Sequence, residues 1–458
     1  MSNNFSNLSL SEPMIANLTK IGYTTMTPVQ EEALPIALEG NDLIAQAKTG
    51  SGKTAAFGIP ILHTLKTEEF KLQAVIMCPT RELSHQVADE LRSLGKFKEN
   101  IKILSLVGGE PVYGQQKALE SGVHIAVGTP GRIMDHITKG NLKFDSMKML
   151  VLDEADRMLD MGFLDDIKAI IEYMPAQRQT LLFSATFEDE IEKLSKQFQR
   201  DAKFVKVSSD DDEVNVEQHF FKVRENEKID LVEALLTSNK ISACLIFCNM
   251  KITCDEVAKS LYDRGFDSMA LHGDLEQRDR NEALTLFSNG TINILVATDV
   301  AARGLDIKEL PCVINYDISH KAEVHIHRIG RTARAGAEGV AYTMFSDREQ
   351  KFCDAIEEYS DRSFELQNQN SVQNNKKFNK NAPNVTIKIL GGKKNKLRAG
   401  DLVGALIAEF KIKSENLGKI TVLDKVSYVA IDRDASSKIS FRGDRIKVKG
   451  KIFRFINI

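Results

Sequence analysis

From residue 40 to 205, short apolar runs alternate with amphipathic stretches. The runs DLIAQA, AVIMCPT, IKILSLVG, HIAVGTP, MLVLDEAD and QTLLFSAT predict buried strands. Between them, apolar positions recur every three or four residues. Leu83, Val87, Leu91 and Leu94, for example, share one helical face over 81–94. Strand–helix alternation predicts a parallel, doubly wound α/β sheet. Ligands bind such sheets beyond the C-terminal ends of the strands. The residues with the most chemistry stand there, after AQA, after VLD and after LFS.

An acidic break, SSDDDE at 208–213, interrupts the pattern, which then restarts. ACLIFCN, SMALHG, INILVATD, CVINYD and GVAYTMFS predict strands, with helices near 251–264, 276–288, 322–334 and 347–359. The polar, Asn-rich stretch within 363–384 predicts a flexible linker. Beyond it VTIKIL, KITVLD, SYVAID and RIKVKGKIFRF predict strands, and RAGDLVGALIAEF a helix. The chain therefore divides into 1–207, 216–362, the linker 363–384, and a small α+β domain at 385–458.

The formal charge of −3 over 458 residues conceals an asymmetry. Residues 376–458 hold 20 basic and 7 acidic side chains, a net of +13, and the rest carries −16. A basic tail domain on an acidic body suggests a polyanion partner. The six cysteines form no CxxC pair and several lie in apolar runs, as buried thiols of a reducing compartment do. No apolar run reaches 18 residues, and MSNNFSNLSL has no secretory pattern. A cytoplasmic protein without membrane partners is expected.

Ala47–Thr54 reads AKTGSGKT between a strand and a helix. Gly50 and Gly52 let backbone N–H groups turn toward phosphate oxygens, and the helix presents its positive end to the same anions. Lys48, Thr49 and Ser51 complete this candidate loop. Lys53 reaches for β/γ-phosphates and Thr54 for Mg²⁺. Ala47 stands where the general pattern has Gly, and alone the string could be a solvated turn. MLVLDEAD supplies the second half. Asp153 suits the Mg²⁺ shell and Glu154 suits activation of an attacking water. By itself that string could be an acidic helix start.

With these two motifs the sequence resembles the DEAD-box ATP-dependent RNA helicases over roughly residues 1–360. The order is GYTTMTPVQ (22–30, with Phe5 upstream), AKTGSGKT, PTREL (79–83), Gly108-Gly109, TPGR (129–132), DEAD (153–156) and SAT (184–186). LIFCN (245–249), HGDLEQRDR (272–280), ATDVAARGLD (297–306) and HRIGRTARAG (327–336) follow. The family has Ala at the position of Ala47. The resemblance implies two tandem RecA-like domains, ATP and Mg²⁺ as cofactors, and hydrolysis to ADP and phosphate. Gln30 is expected to pair with the adenine edge. Tyr23 is expected to stack on the base, or simply to pack in the core. Arg331 and Arg334, three apart on one helical face, would place guanidinium forks on the γ-phosphate, or else form surface ion pairs. Asp306 is expected at the ribose. Ser184 and Thr186 are expected to couple the DEAD carboxylates to conformational change.

The same resemblance implies an RNA track that grips the sugar-phosphate backbone without reading bases. It runs through Pro79, Thr80, Arg81, Gly109, Thr129, Pro130, Gly131 and Arg132 in the first domain. Gln277, Arg280, Thr298 and Gly304 continue it in the second. Arg132 could instead be a structural ion pair. In the tail, GGKKNKLRAGDLVGAL, LGKITVLD and SYVAIDR resemble the C-terminal RNA-recognition-like domain of the DbpA subfamily, with the second helix expected to be reduced or missing after Ala435. Lys393, Lys394, Lys396 and Arg398 are its expected RNA contacts. Lys447, Lys449 and Lys451 alternate along the last predicted strand and so should share one face. Tyr428 and Phe441 could be stacking platforms or core residues. The subfamily resemblance implies a monomer anchored to a 23S rRNA hairpin and acting in 50S subunit assembly. General roles in mRNA decay or cold response, or an ATP-gated RNA clamp, are the competing expectations.

Overall fold

The computed structural model describes residues 3–47, 50–187, 189–207, 216–302, 310–332, 339–437 and 444–458. The chain forms two compact units, one from the first lobe and one from the second lobe with the tail.

The first unit is built on seven parallel strands. They are β1 (Leu43–Gln46), β2 (Ala74–Met77), β3 (Ile103–Leu106), β4 (Ile125–Gly128), β5 (Met149–Asp153), β6 (Gln179–Ser184) and β7 (Lys203–Lys206), in the order β3-β4-β2-β5-β6-β1-β7. The central strands are buried along their length, since helices cover both faces. Two apolar cores result. One holds Phe57, Ile76, Leu91, Val151 and Phe183, the other Val75, Leu150, Ile167 and Leu182. The predicted 81–94 helix forms over Arg81–Leu94. Thr80 accepts a bond from Leu83 N at its start, and Val87, Leu91 and Leu94 are buried.

The second unit repeats this plan with β8 (Val216–Lys222), β9 (Cys244–Phe247), β10 (Ser268–Leu271), β11 (Ile294–Ala297), β12 (Cys312–Asn315), β13 (Gly339–Phe345) and β14 (Leu366–Gln367), in the order β10-β11-β9-β12-β13-β8-β14. The edge strands β7 and β14 and the strand β8 escape the sequence pattern, because β7 has one buried position, β8 three and β14 none. All six cysteines are buried and free. Among the described residues no helix is long and apolar enough to cross a membrane.

The tail is a five-stranded antiparallel sheet of β15 (Asn384–Ile389), β16 (Leu417–Val422), β17 (Ser427–Asp432), β18 (Arg445–Val448) and β19 (Lys451–Asn457), ordered β16-β17-β15-β19-β18. One face packs on the helix Ala399–Phe410 through Ile387, Ile389, Leu402, Leu406, Val429, Ile431, Phe453 and Phe455. After β17 the described residues hold a five-residue helix, Arg433–Ser437, and 438–443 lie outside the described residues. The single last strand expected over 445–455 is instead a hairpin. Gly450 and Lys449 both take positive φ at its turn, which ends β18 and reverses the chain. Lys447, Lys449 and Lys451 therefore do not share one face. Lys447 pairs with exposed Ile452, Lys449 sits in the turn, and Lys451 pairs with buried Val448.

Composition suggests flexibility for 363–384, yet this stretch lies along the second lobe. Thr237 Oγ1 donates to Asn374 Oδ1 at 3.0 Å, and Asn293 Nδ2 to Lys380 O at 2.9 Å. Lys380 Nζ pairs with Glu233 at 2.7 Å, and Arg264 reaches the same carboxylate. Asn-rich sequence is polar enough for a linker, but its amides also bond well to a neighbouring backbone. Burial raises the Glu233 carboxyl, but the bonds from Lys380 and Arg264 outweigh it and hold it at about 2. Its folded value thus lies below the ordinary 4.5, so this stabilisation is complete above pH 4.5 and is lost as pH falls from there toward 2. Hydrogen exchange at 374–382, corrected for intrinsic rates, is expected to rise over that window. At pH 7, Glu233→Gln should already show the raised exchange. Equal protection in the variant and the parent at pH 7 would refute this tether.

Candidate nucleotide and RNA sites

Strand order assembles the nucleotide site. β5, β6 and β1 are neighbours in register, with Asp153 opposite Phe183 and Gln46 opposite Ser184. Their C-terminal ends bring DEAD, SAT and the phosphate loop to one edge. The loop leaves β1 with Ala47 N bonded to Ser184 O at 2.8 Å. It turns through Gly50 at φ 86° and Gly52 at φ 93° into the helix Lys53–Thr64. The Gln30 segment braces it. Thr27 Oγ1 donates to Ser51 O at 2.7 Å and Gln30 Nε2 to Gly52 O at 3.0 Å, while Gln30 Oε1 accepts from Thr27 N. A Cβ at Gly52 would stand 2.4 Å from Gln30 Nε2. Gln30 is therefore a buried support of the loop, a role its sequence context did not reveal. Tyr23 packs edge-on to Phe5 and donates to Glu90 at 2.7 Å.

Among the described residues three buried polar atoms at this edge have no hydrogen-bond partner: Lys53 Nζ, Asp153 Oδ1 and Ser184 Oγ. Buried polar groups are ordinarily bonded. A phosphate with its divalent cation would complete these atoms, so the residues fit MgATP. Among the described residues no cluster of three or more metal-ligating side chains exists. Burial pushes the Asp153 carboxyl up to about 7, with Lys53 opposing and Glu154 adding to the shift. A cation there relieves the same strain that a proton would.

Glu154 has φ 53°, a left-handed conformation unusual for a residue with a Cβ. Its carboxylate is bonded to Arg157 at 2.8 Å, and both side chains are only 3% exposed. Sequence reasoning missed Arg157, although its i,i+3 spacing from Glu154 on a helix was the available signal. Asp156 Oδ2 accepts from Ala185 N at 3.0 Å and Thr186 N at 3.1 Å. Burial raises Asp156, but Lys53, Arg157 and the backbone bonds outweigh it and hold it below its ordinary value. Asp156, also missed, thus links DEAD to SAT, mainly through backbone amides and with a long 3.4 Å bond from Thr186 Oγ1.

The other half of the same sheet edge carries the candidate RNA residues. β3, β4 and β2 end next to Gly108-Gly109, Thr129–Arg132 and Pro79–Arg81. Gly109 has φ 79°, and the Arg81 guanidinium lies 3.0 Å from where a Gly108 Cβ would stand. Gly131, at the start of the helix Pro130–Thr138, faces open space. Arg132 is largely engaged within the protein. Its Nη1 donates to Gln115 Oε1 at 2.8 Å and Glu110 O at 3.2 Å.

In the second unit, Gln277 and Arg280 lie on the helix Gln277–Ser288, with Arg280 donating to His272 O at 3.3 Å. Thr298 is buried at the start of Asp299–Ala302. The helix of the HRIGRTARAG motif ends at Ile329, so Arg331 lies past it and not on a helical face as expected. Arg328, missed in the sequence, forks onto Asp299 at 2.6 and 2.7 Å and reaches Asn249 Oδ1 at 2.7 Å and Asp317 O at 2.6 Å. It ties three motif loops together. Lys48, Thr49, Gly304, Asp306, Arg334 and Phe441 lie outside the described residues.

The second face of the tail sheet is half covered by the second lobe. Lys388 forks onto Glu282 at 2.6 Å, Asn289 Nδ2 donates to Thr386 Oγ1 at 3.2 Å, and Arg433 pairs with Asp267 at 2.6 Å. Tyr428, opposite Lys388 in register, is 2% exposed. It is a covered interface residue and not a stacking platform. Lys393, Lys394, Lys396 and Arg398 are exposed in the loop before the helix Ala399–Phe410. Lys449 pairs with Asp401 at 2.8 Å.

Comparisons with known proteins agree with this geometry. Residues 27–194 match the DEAD/DEAH box helicase family, 227–336 the helicase conserved C-terminal domain and 386–455 the DbpA RNA binding domain. The chain is 45% identical to the ATP-dependent RNA helicase DbpA of Escherichia coli, over 98% of both chains. It is 38% identical to the Bacillus subtilis protein of the same name, again over 98% of both. Saccharomyces cerevisiae Dbp5 bound to RNA and ADP BeF3 superposes with TM-score 0.74 at 29% identity, covering 81% of this chain and 97% of that one. Fold and site define an ATP-driven RNA-remodelling enzyme. The chain belongs to the DbpA subfamily of DEAD-box ATP-dependent RNA helicases.

Proposed function

We propose that this helicase remodels 23S rRNA during assembly of the 50S subunit, as a cytoplasmic monomer anchored to an rRNA hairpin by its tail. The observation that carries the reading is the exposed basic loop Lys393–Arg398 on a domain, 385–458, of net charge +10 that matches the DbpA RNA binding domain. Listeria monocytogenes CshA, 44% identical, aligns with only 77% of the chain, so the tail is what sets this chain apart from a general helicase.

In the first lobe, Lys53 and the loop amides hold the phosphates, and Gln30 and Tyr23 receive the base. Thr54 and Asp153 would hold Mg²⁺, which neutralises phosphate charge when bound. Glu154 orients the attacking water and takes its proton. Arg331 and Arg334 supply positive charge to the transferred phosphoryl group. The first-lobe track and Gln277, Arg280, Thr298 and Gly304 hold one RNA strand by its backbone. Lys393, Lys394, Lys396, Arg398, Lys447 and Lys449 bind the anchor RNA.

The test is ATPase stimulation by large-subunit rRNA against unrelated RNA of equal length. Half-saturation is expected about 10-fold or more lower with the rRNA. Deleting 376–458 should abolish that preference and leave ATP binding intact. Equal stimulation by both RNAs would favour a general helicase and sink the rRNA assignment.

A further inference from the structure

Gln115 belongs to none of the sequence motifs, yet it occupies the middle of the first-lobe RNA track. It lies on the helix Val112–Glu120 and is 4% exposed. All four hydrogen-bonding positions of its amide are filled. Nε2 donates to Val107 O at 3.1 Å and to Glu110 Oε2 at 3.2 Å. Oε1 accepts from Arg132 Nη1 at 2.8 Å and lies 3.0 Å from His136 Nε2.

The orientation of this amide is determined by its neighbours. Arg132 can only donate, so the atom facing it is an acceptor. Asn141 Nδ2 lies 3.3 Å from His136 Nδ1 and donates to it, which leaves the ring proton on Nε2 to bond Gln115. The other amide end faces two acceptors, a carbonyl and a carboxylate, and must be the donor. Val107 and Glu110 bracket Gly108-Gly109, and Arg132 closes the TPGR string. Glu110 is held from its other side by His85 at 3.3 Å. One buried side chain therefore joins the glycine turn after β3 to the helix start after β4. A fully satisfied buried network of this kind fixes one arrangement of the segments it joins.

The geometry points to Gln115 as the positioning residue of the first-lobe RNA track: it sets the Gly108-Gly109 turn against Thr129–Arg132 so that both meet one RNA backbone. This rests on the reading of those strings as RNA contacts. Gln115 itself does not touch RNA. Its loss should change RNA binding and leave the distant phosphate-loop chemistry unaltered.

Four variants of the full chain test this, read as RNA half-saturation of the ATPase, with ATP KM and kcat at saturating RNA. Gln115→Met keeps the volume and loses all four bonds. Half-saturation is expected to rise about tenfold or more, the size of one to two lost buried hydrogen bonds. The ATP KM and saturated kcat should stay within about twofold. Gln115→Glu should behave alike, because it opposes a second carboxylate to Glu110. Adding Glu110→Gln restores one of the two donor contacts with the roles exchanged, Val107 O still facing a carboxylate, and should recover part of the RNA affinity at unchanged melting temperature. A merely structural role predicts no such recovery. Arg81→Ala reports the track itself. If it weakens RNA binding while Gln115→Met and Gln115→Glu do not, the track stands and the positioning role is overturned. If none of the three has an effect, both fall. Should Gln115→Met fail to fold, failure of Glu110→Gln to rescue Gln115→Glu overturns the proposal on its own.

Discussion

Glu154→Gln is expected to lower RNA-stimulated ATP turnover by a factor of about 10²–10⁴, the range for removing a positioned general base. The substitution is close to isosteric. The amide oxygen can still accept from Arg157, which bonds the carboxylate at 2.8 Å, and the left-handed backbone at φ 53° is retained. What disappears is the ability to take a proton from water. The groups proposed to bind phosphate are untouched, so affinity for a fluorescent ATP analogue should change by less than about threefold. Phosphate release at the parental rate would exclude Glu154 as the base.

The second large effect concerns Arg157. Its pairing with Glu154 leaves both side chains 3% exposed. Removing one partner of such a pair strands the other charge, at a cost of about 3–5 kcal/mol. Arg157→Met should therefore destabilise the first lobe by about that amount, seen as a lowered urea midpoint for its transition. In a Glu154→Gln background the penalty should shrink markedly, because a neutral amide tolerates burial. A loss below about 1 kcal/mol in the parental background, or equal losses in both, would show that Glu154 is stabilised by other groups.

The strands that carry function were legible because they are fully buried and end in unusual chemistry. AVIM, MLVLD and QTLLFS needed no tertiary information, and the motifs after them mark their C-terminal ends. Less visible were residues whose role comes from what the fold places opposite them. Arg328 is one charged residue among several in its motif, until Asp299, Asn249 and Asp317 surround it. Gln115 lies outside any motif. The tail misled for the opposite reason. Alternating lysines over 445–455 imitate one strand, and only the positive φ at Lys449 and Gly450 reveals a turn. Tyr428 looks like an RNA platform by composition, but Lys388, Glu282 and their neighbours cover it. Polar composition at 363–384 likewise could not show that its amides would find partners.

The ion pairs and amides that fasten the tail to the second lobe have a mechanical consequence. A domain on a loose string would let its cargo drift while the motor worked. A domain clamped at Lys388–Glu282, Arg433–Asp267 and Lys380–Glu233 instead turns whenever that lobe turns. The tail and the lobe it is fastened to therefore move as one piece.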